Sequence, residues 1–154
     1  QGTLTPIKEL FWGNTGGCLG ETSAIALLLG ALLLLYKKTI DWRVPAGILF
    51  ALSVFTGIFW LSSPNQYASP AFHVLAGGLL IGAFYMATDM VTSPIYPKAT
   101  WIYALGIGIM VGLIRLFGGF PEGVMYSILF MNTFVPLLNR FFRPRILGER
   151  RRSP

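Results

Sequence analysis

Five ionisable side chains border the long apolar segments of this 154-residue sequence and are its first candidates for chemistry: Glu21, His73, Asp89, Arg115 and Glu122. Ionisable residues at membrane depth are costly and often functional, although water and snorkelling lower the cost near a membrane interface. All five stand near predicted segment ends. Glu21 and Glu122 each precede a predicted helix, whose N-terminal dipole favours a carboxylate, so helix capping is their default interpretation.

Asp89 and His73 each have a purely structural interpretation as well as a functional one. Asp89 is either a functional carboxylate or a turn residue that bonds the backbone of Val91 or Thr92. His73 follows Ser-Pro-Ala-Phe, which is typical of a helix start. It is the only histidine in the sequence, so no second imidazole can share a metal ion with it. We therefore predict no metal site.

The sequence contains no recognisable catalytic motif. It lacks a nucleophile elbow, a phosphate-binding glycine loop ending in Lys-Ser/Thr and a cluster of metal ligands. The single cysteine, Cys18, excludes an internal disulfide and a CxxC redox pair. No catalytic residue is therefore predicted.

Composition indicates an integral membrane protein. Apolar residues make up 54% of the chain and charged residues 12%, with a mean hydropathy of +0.63. Soluble domains carry about 25% charged residues, so these charges are too few to coat a water-soluble surface. The net charge is +6, but the cations lie in loops and at one terminus without stacking aromatics. Nucleic acid is therefore not an expected partner, whereas the lipid bilayer is.

Five apolar segments approach the roughly 17 to 25 residues that a bilayer crossing requires. They cover residues 22–36, 44–61, 70–88, 100–116 and 124–138. We predict an all-α polytopic membrane protein of about five transmembrane helices. An outer-face loop segment (1–21) precedes the five-helix membrane domain (22–138), and a basic cytoplasmic tail (139–154) follows it.

The distribution of cations predicts the orientation. With five crossings, ten of the twelve lysines and arginines fall on one side, which the positive-inside rule places in the cytoplasm. The C-terminus is then cytoplasmic and the N-terminus outside. The ten are Lys37, Lys38, Arg43, Lys98, Arg140, Arg143, Arg145, Arg150, Arg151 and Arg152.

Closely spaced glycines mark the third and fourth segments. Examples are Gly82, Gly108 and Gly112. Small residues let helices approach closely in lipid, so close packing is the first interpretation, and room for a flat ligand or local unwinding is the second. The chain begins at Gln1 without an initiator Met, and we expect a fragment or a processed product.

Several motifs, in order along nearly the whole chain, resemble the C-terminal half of RnfD, a membrane component of the Rnf ion-translocating electron-transport complex. The same family includes NqrB of the sodium-pumping quinone reductase. The motifs are GCLGETSA (17–24), IDWRVP (40–45), GAFYMATDMVTSP (82–94), IRLFGGFPEG (114–123) and the ending with MN (131–132), PLL (136–138) and RPR (143–145). The resemblance implies a fold like that of urea transporters, with two inverted repeats of about five helices. The five segments would form one repeat.

The resemblance also implies flavin mononucleotide (FMN) joined through its phosphate to a threonine upstream of the GETSA motif. Thr5, which precedes Pro6, is the best-matching position, and the alternative is that Thr5 is only a loop residue. Arg115 would stabilise anionic flavin or its phosphate. Glycine-rich turns carrying Glu21 and Glu122 would frame the ring.

In such a subunit, we hypothesise that Asp89 and Thr92 lie on an ion route. The expected function is a membrane subunit of a Rnf-type complex in a bacterial or archaeal plasma membrane, with flavin-mediated electron transfer coupled to Na⁺ or H⁺ transport. Expected partners are other Rnf-type membrane subunits, and either a missing N-terminal half or a second copy of this chain. The alternatives are a urea-transporter-like permease or channel half without redox activity, and a purely structural subunit.

Overall fold

A computed structural model describes residues 24–62, 69–75, 78–118 and 123–143, and every regular element within these ranges is helical. This confirms the predicted all-α class. The elements are α1 (Ala24–Tyr36), α2 (Arg43–Ser62), α3 (Pro70–Leu75), α4 (Leu79–Ile81), a π-helix termed π1 (Gly82–Met86), α5 (Pro97–Phe117) and α6 (Val124–Phe141).

Two of these helices, α2 with 20 residues and α5 with 21, are long and apolar enough to cross a membrane. At 1.5 Å per residue each is about 30 Å long, which matches a hydrocarbon core. Helix α1 is apolar but has only 13 residues. Helix α6 has 18 residues, including Asn132, Asn139 and Arg140, and does not meet the same criterion. Helix α6 also continues to Phe141, past the predicted end of the fifth segment at residue 138.

The third predicted segment, residues 70–88, is not one continuous α-helix. Helix α3 ends at Leu75, and Gly78 then adopts a left-handed conformation with φ of 63°, which a residue without a Cβ tolerates. The short α4 follows and passes into π1, where the Ala87 N–H donates to the Gly82 carbonyl at 2.8 Å, five residues back. The interruption lies at Gly78 and Gly82, two of the closely spaced glycines for which local unwinding was the second interpretation.

A seam of small residues joins α2 to α5, the most extensively packed pair of helices. Gly47 of α2 faces Ala104 of α5, and Ala51 of α2 faces Gly108 of α5. On each helix the two small residues are four positions apart. A Cβ at Gly108 would lie 2.7 Å from the Ile48 carbonyl oxygen and 2.6 Å from the Ala51 Cβ. The close-packing interpretation of Gly108 is therefore confirmed, and the backbones approach as small-xxx-small pairs allow.

The core lies around this pair. Helix α6 packs along α5, and π1 contacts both α2 and α6, with Gly82 against Val124. Helix α1 contributes two buried alanines, whereas most of its leucines are exposed. In a membrane, such an apolar outer face contacts lipid or another protein chain.

Candidate functional site

Arg115 lies in the last turn of α5, at the end predicted to face outward. Its Nη1 donates a hydrogen bond to the backbone carbonyl of His73 in α3. A cation in this position also interacts favourably with the negative end of the helix dipole. Arg115 therefore ties α5 to α3 and places a partly buried positive charge at this end of the described structure.

His73 is the fourth residue of α3, which confirms its interpretation as part of a helix start. Its ring stands edge-on to Phe72, with centroids 6.1 Å apart. The His73 Nε2 is buried and has no hydrogen-bond partner among the described residues. No sequence pattern indicated that Arg115 would reach this residue, because 42 positions separate the two.

Two glycines lie at the same end of α5. The Gly118 N–H donates to the Ile114 carbonyl at 2.8 Å, which caps the helix. A Cβ at Gly123 would lie 2.6 Å from the Ile114 Cγ2, so the chain returns tightly against α5 before α6 begins. Three other residues proposed for flavin, namely Thr5, Glu21 and Glu122, lie outside the described residues.

Asp89 and Thr92 meet at the opposite, predicted cytoplasmic end, in the turn after π1. The Thr92 hydroxyl donates to the Asp89 Oδ2 at 3.2 Å, and the Ser93 N–H donates to the Asp89 carbonyl at 3.0 Å. Among the described residues, the carboxylate bonds the Thr92 hydroxyl, whereas the turn interpretation anticipated a bond to the backbone of Val91 or Thr92. Both side chains belong to exposed or partly exposed residues, so an ion in water can reach them.

A pocket of about 270 Å³, lined by both polar and apolar residues and termed the polar pocket, lies at this same end, between the loop after α1 and the turn after π1. Lys38, Asp41, Thr88 and Ser93 are among its lining residues. The Thr88 hydroxyl donates to the Phe84 carbonyl at 2.7 Å. Sequence reasoning missed this pocket because its walls are brought together only by the packing of α1, π1 and α5.

A partly buried polar pair links α5 and α6. The Tyr103 hydroxyl donates to the Asn132 Oδ1 at 2.6 Å, and Tyr103 is completely buried. An asparagine in an apolar helix was the available signal, since polar residues in such helices usually find a partner on a neighbouring helix.

The motif resemblance is supported over nearly the full length of the chain. The sequence model of the NQR2, RnfD, RnfE family matches residues 1–148. The chain belongs to this family. Members similar to it include the component designated D of the proton-translocating ferredoxin:NAD(+) oxidoreductase complex of Clostridium ljungdahlii, which is 48% identical over 98% of this chain and 45% of the relative.

Two further relatives carry the same designation in their own complexes. The component from the Na(+)-translocating ferredoxin:NAD(+) oxidoreductase complex of Acetobacterium woodii is 44% identical over 96% of this chain and 45% of its own length. The component from the ion-translocating oxidoreductase complex of Stutzerimonas stutzeri is 43% identical over 93% of this chain and 40% of its own length. This NQR2, RnfD, RnfE family chain therefore spans less than half the length of these relatives.

Proposed function

We propose that this chain forms part of a membrane subunit of a Rnf-type ion-translocating oxidoreductase complex, in which electron transfer through flavin is coupled to Na⁺ or H⁺ transport. The observation that carries the proposal is the family match over residues 1–148, together with relatives named as components of proton- and sodium-translocating oxidoreductase complexes. These names favour a redox complex over the alternative of a urea-transporter-like permease or channel half. Its partners would be the other subunits of such a complex.

FMN is the proposed cofactor, attached covalently at Thr5. Among the residues proposed to bind it, Arg115 is the one that the structure describes. A guanidinium held at a helix end by the His73 carbonyl is a fixed positive charge, and its planar N–H groups suit a phosphate or an anionic ring. Arg115 thus fits the group. Bound flavin would supply the electron chemistry, while the protein would hold it and set its electrostatic surroundings.

Asp89 and Thr92 are proposed to lie on the ion route. Their oxygens face each other in an accessible turn, and carboxylate and hydroxyl oxygens are suitable contacts for a small hard cation. The turn follows directly on π1, and π-helical turns within α-helices frequently occur at functional sites.

The proposed topology has five crossings, a cytoplasmic C-terminus and an outer N-terminus in a bacterial or archaeal plasma membrane. It would form one repeat of a urea-transporter-like fold, completed by the rest of a longer chain or by a second copy. The interrupted α3–α4–π1 segment supports this, because inverted-repeat transporters commonly contain discontinuous helices.

A change at Thr5 tests the flavin proposal. Thr5→Ala should abolish covalent FMN while leaving membrane insertion intact, because one loop hydroxyl contributes about 0.5 kcal/mol or less to stability. The measurements are in-gel flavin fluorescence and the mass of the peptide covering residues 1–8, in the presence of the flavin-attaching enzyme. Thr3→Ala is the matched control and should keep the flavin. Loss in the Thr3 variant alone would move the attachment site, and a wild-type peptide without FMN would contradict attachment at Thr5.

Reporter fusions test the orientation. The ten-to-two distribution of cations predicts that a reporter after Pro154 is active only in the cytoplasm and one before Gln1 only outside. The same location for both reporters would rule out an odd number of crossings.

A further inference from the structure

Two pockets of different chemistry lie next to each other on the same pair of chain segments. The polar pocket of about 270 Å³ is lined by Lys38 on one side and by Thr88 and Ser93 on the other. A second pocket of about 370 Å³ is lined only by apolar side chains, six from α1 and Phe84 from π1. The apolar pocket is therefore lined by α1 and π1 themselves, and the polar pocket by the loop and the turn that follow them.

Hydrogen bonds show that lining residues of the two pockets lie one helical turn apart. The Lys38 N–H donates to the carbonyl of Leu35, which lines the apolar pocket, at 3.0 Å. The Thr88 hydroxyl donates to the carbonyl of Phe84, which also lines the apolar pocket, at 2.7 Å. One helical turn is about 5.4 Å, so a molecule occupying both pockets must have a polar head directly joined to an apolar chain.

Lys38 stands in a backbone conformation that normally belongs to glycine. Its φ is 53°, and it ends α1 in a Schellman motif, with the Lys38 N–H bonded to the Leu35 carbonyl and the Thr39 N–H bonded to the Leu34 carbonyl at 3.1 Å. A side chain in this conformation strains the backbone, so glycine would serve the helix end better. A lysine here instead adds a cationic residue to the lining of the polar pocket.

The charges around the pocket favour an anion. Asp41 also lines it, but its carboxylate accepts a hydrogen bond from the Arg43 N–H at 3.1 Å and forms an ion pair with the Arg43 guanidinium at 3.5 Å. Lys37 adjoins Lys38 in the sequence. Asp89 also lies beside the pocket, next to Thr88, so the three cations exceed the two nearby carboxylates by one charge.

We propose that these adjoining pockets bind one anionic phospholipid of the cytoplasmic leaflet. Its phosphate would lie in the polar pocket beside Lys38, and an acyl chain would follow the groove between α1 and Phe84. Anionic lipids of this leaflet are attracted to lysines at the membrane surface, and the apolar groove adds selectivity for a lipid over a free phosphate. The site is independent of the flavin proposal, because it uses none of the residues assigned to FMN.

Lipid retention by the complete purified complex tests the proposal. The complex is placed in nanodiscs of phosphatidylglycerol or phosphatidylcholine, released into detergent, and analysed by native mass spectrometry. We expect retained phosphatidylglycerol and little phosphatidylcholine. Lys38→Gln should weaken phosphatidylglycerol retention about fivefold, the effect of one surface lysine. Lys98→Gln is the matched control, since Lys98 carries the same charge near the same face outside the pocket, and it should retain the lipid.

Lys38→Gly separates binding from folding. It relieves the strained φ, so its thermal unfolding temperature should equal or exceed that of the wild type while lipid retention falls as in Lys38→Gln. Leu28→Trp should fill the apolar groove and also release the lipid, whereas Leu33→Trp, which lies outside that pocket, should not.

Three results would overturn the proposal. Equal losses in the Lys38→Gln and Lys98→Gln variants would indicate diffuse surface attraction. Equal retention of the two lipids would indicate an apolar groove without headgroup recognition. Displacement of phosphatidylglycerol by millimolar glycerol 1-phosphate would show that the polar pocket binds a soluble anion.

Discussion

The α2–α5 pair and the interrupted α3–α4–π1 segment both come from predicted apolar segments but contact their neighbours in different ways. The pair meets along small residues, and its backbones approach so closely that Gly108 has no room for a Cβ. The interrupted segment is tied to other helices by hydrogen bonds, from Arg115 to the His73 carbonyl and from the Tyr85 hydroxyl to the Leu27 carbonyl at 2.9 Å.

The α2–α5 pair serves as a scaffold, and the interrupted segment is one of the elements packed around it. Close packing along a seam leaves the pair few alternative arrangements, because interiors tolerate little change in volume. The interrupted segment is also packed, with Leu79, Ala83 and Phe84 buried, but its backbone changes helical type along its length and side-chain hydrogen bonds fix it to its neighbours. Both proposed functional ends adjoin this second region, with Arg115 bonded to α3 and Asp89 in the turn that follows π1.

The largest expected effect is at the seam. Gly108→Ala would place a Cβ 2.7 Å from the Ile48 carbonyl oxygen, and the helices must separate to accept it. We expect a loss of about 1 to 3 kcal/mol in the free energy of unfolding, measured by denaturation in detergent micelles. Gly57→Ala is the matched control, because its Cβ would lie 3.8 Å from Pro70, an ordinary contact. Equal effects of the two changes would show that the seam is not tightly packed.

A smaller effect is expected where the interrupted segment meets α1. Tyr85→Phe removes the hydroxyl that donates to the Leu27 carbonyl, and interhelical hydrogen bonds in membranes contribute about 0.6 kcal/mol on average. Hydrogen exchange should accelerate in α1 and stay unchanged in α2 and α5. Tyr126→Phe, at an exposed tyrosine on α6, should change neither the stability nor the hydrogen exchange of α1. Faster exchange throughout would mean that α1 is not an independent unit.

The smallest effect on stability is expected at the turn after π1. Thr92→Val removes the hydroxyl that donates to Asp89 at 3.2 Å, and a change at such a surface bond usually alters stability by about 0.5 kcal/mol or less. Ion transport by the complete complex should nevertheless fall if these oxygens contact the ion. Thr133→Val, at an exposed threonine on α6 away from this turn, is the control. Unchanged transport in the Thr92 variant would remove Thr92 from the proposed route.

The regular helices were predictable because their sequences carry the whole signal. Long apolar runs at α2 and α5 predicted helices within a few residues of their observed ends. The starting point of α5 was placed late, at Thr100, because Pro97 was not recognised as a first-turn residue that the helix accommodates. The close-packing role of Gly108 was also predicted, because small residues in membrane helices commonly mark close helix–helix contacts.

The candidate site was predictable only in part. Sequence identified Arg115, Asp89 and Thr92 as individual residues, and the motifs identified the family. The sequence could not show that Arg115 bonds the His73 carbonyl, because every residue type has a backbone carbonyl that can accept a hydrogen bond. The pocket beside Lys38 was missed for a related reason, since a left-handed lysine cannot be recognised from the sequence.

The sequence by itself determined the all-helical class, the family and the locations of the apolar segments, because hydropathy and local motifs are properties of neighbouring residues. Only the tertiary structure decided where the third segment breaks and which polar groups meet across the bundle. The physical reason is that Gly82 and Tyr85 adopt their π-helical positions against Val124 and the Leu27 carbonyl, residues about forty to sixty positions away. Contacts at such separations depend on how the helices pack, and no local pattern encodes them.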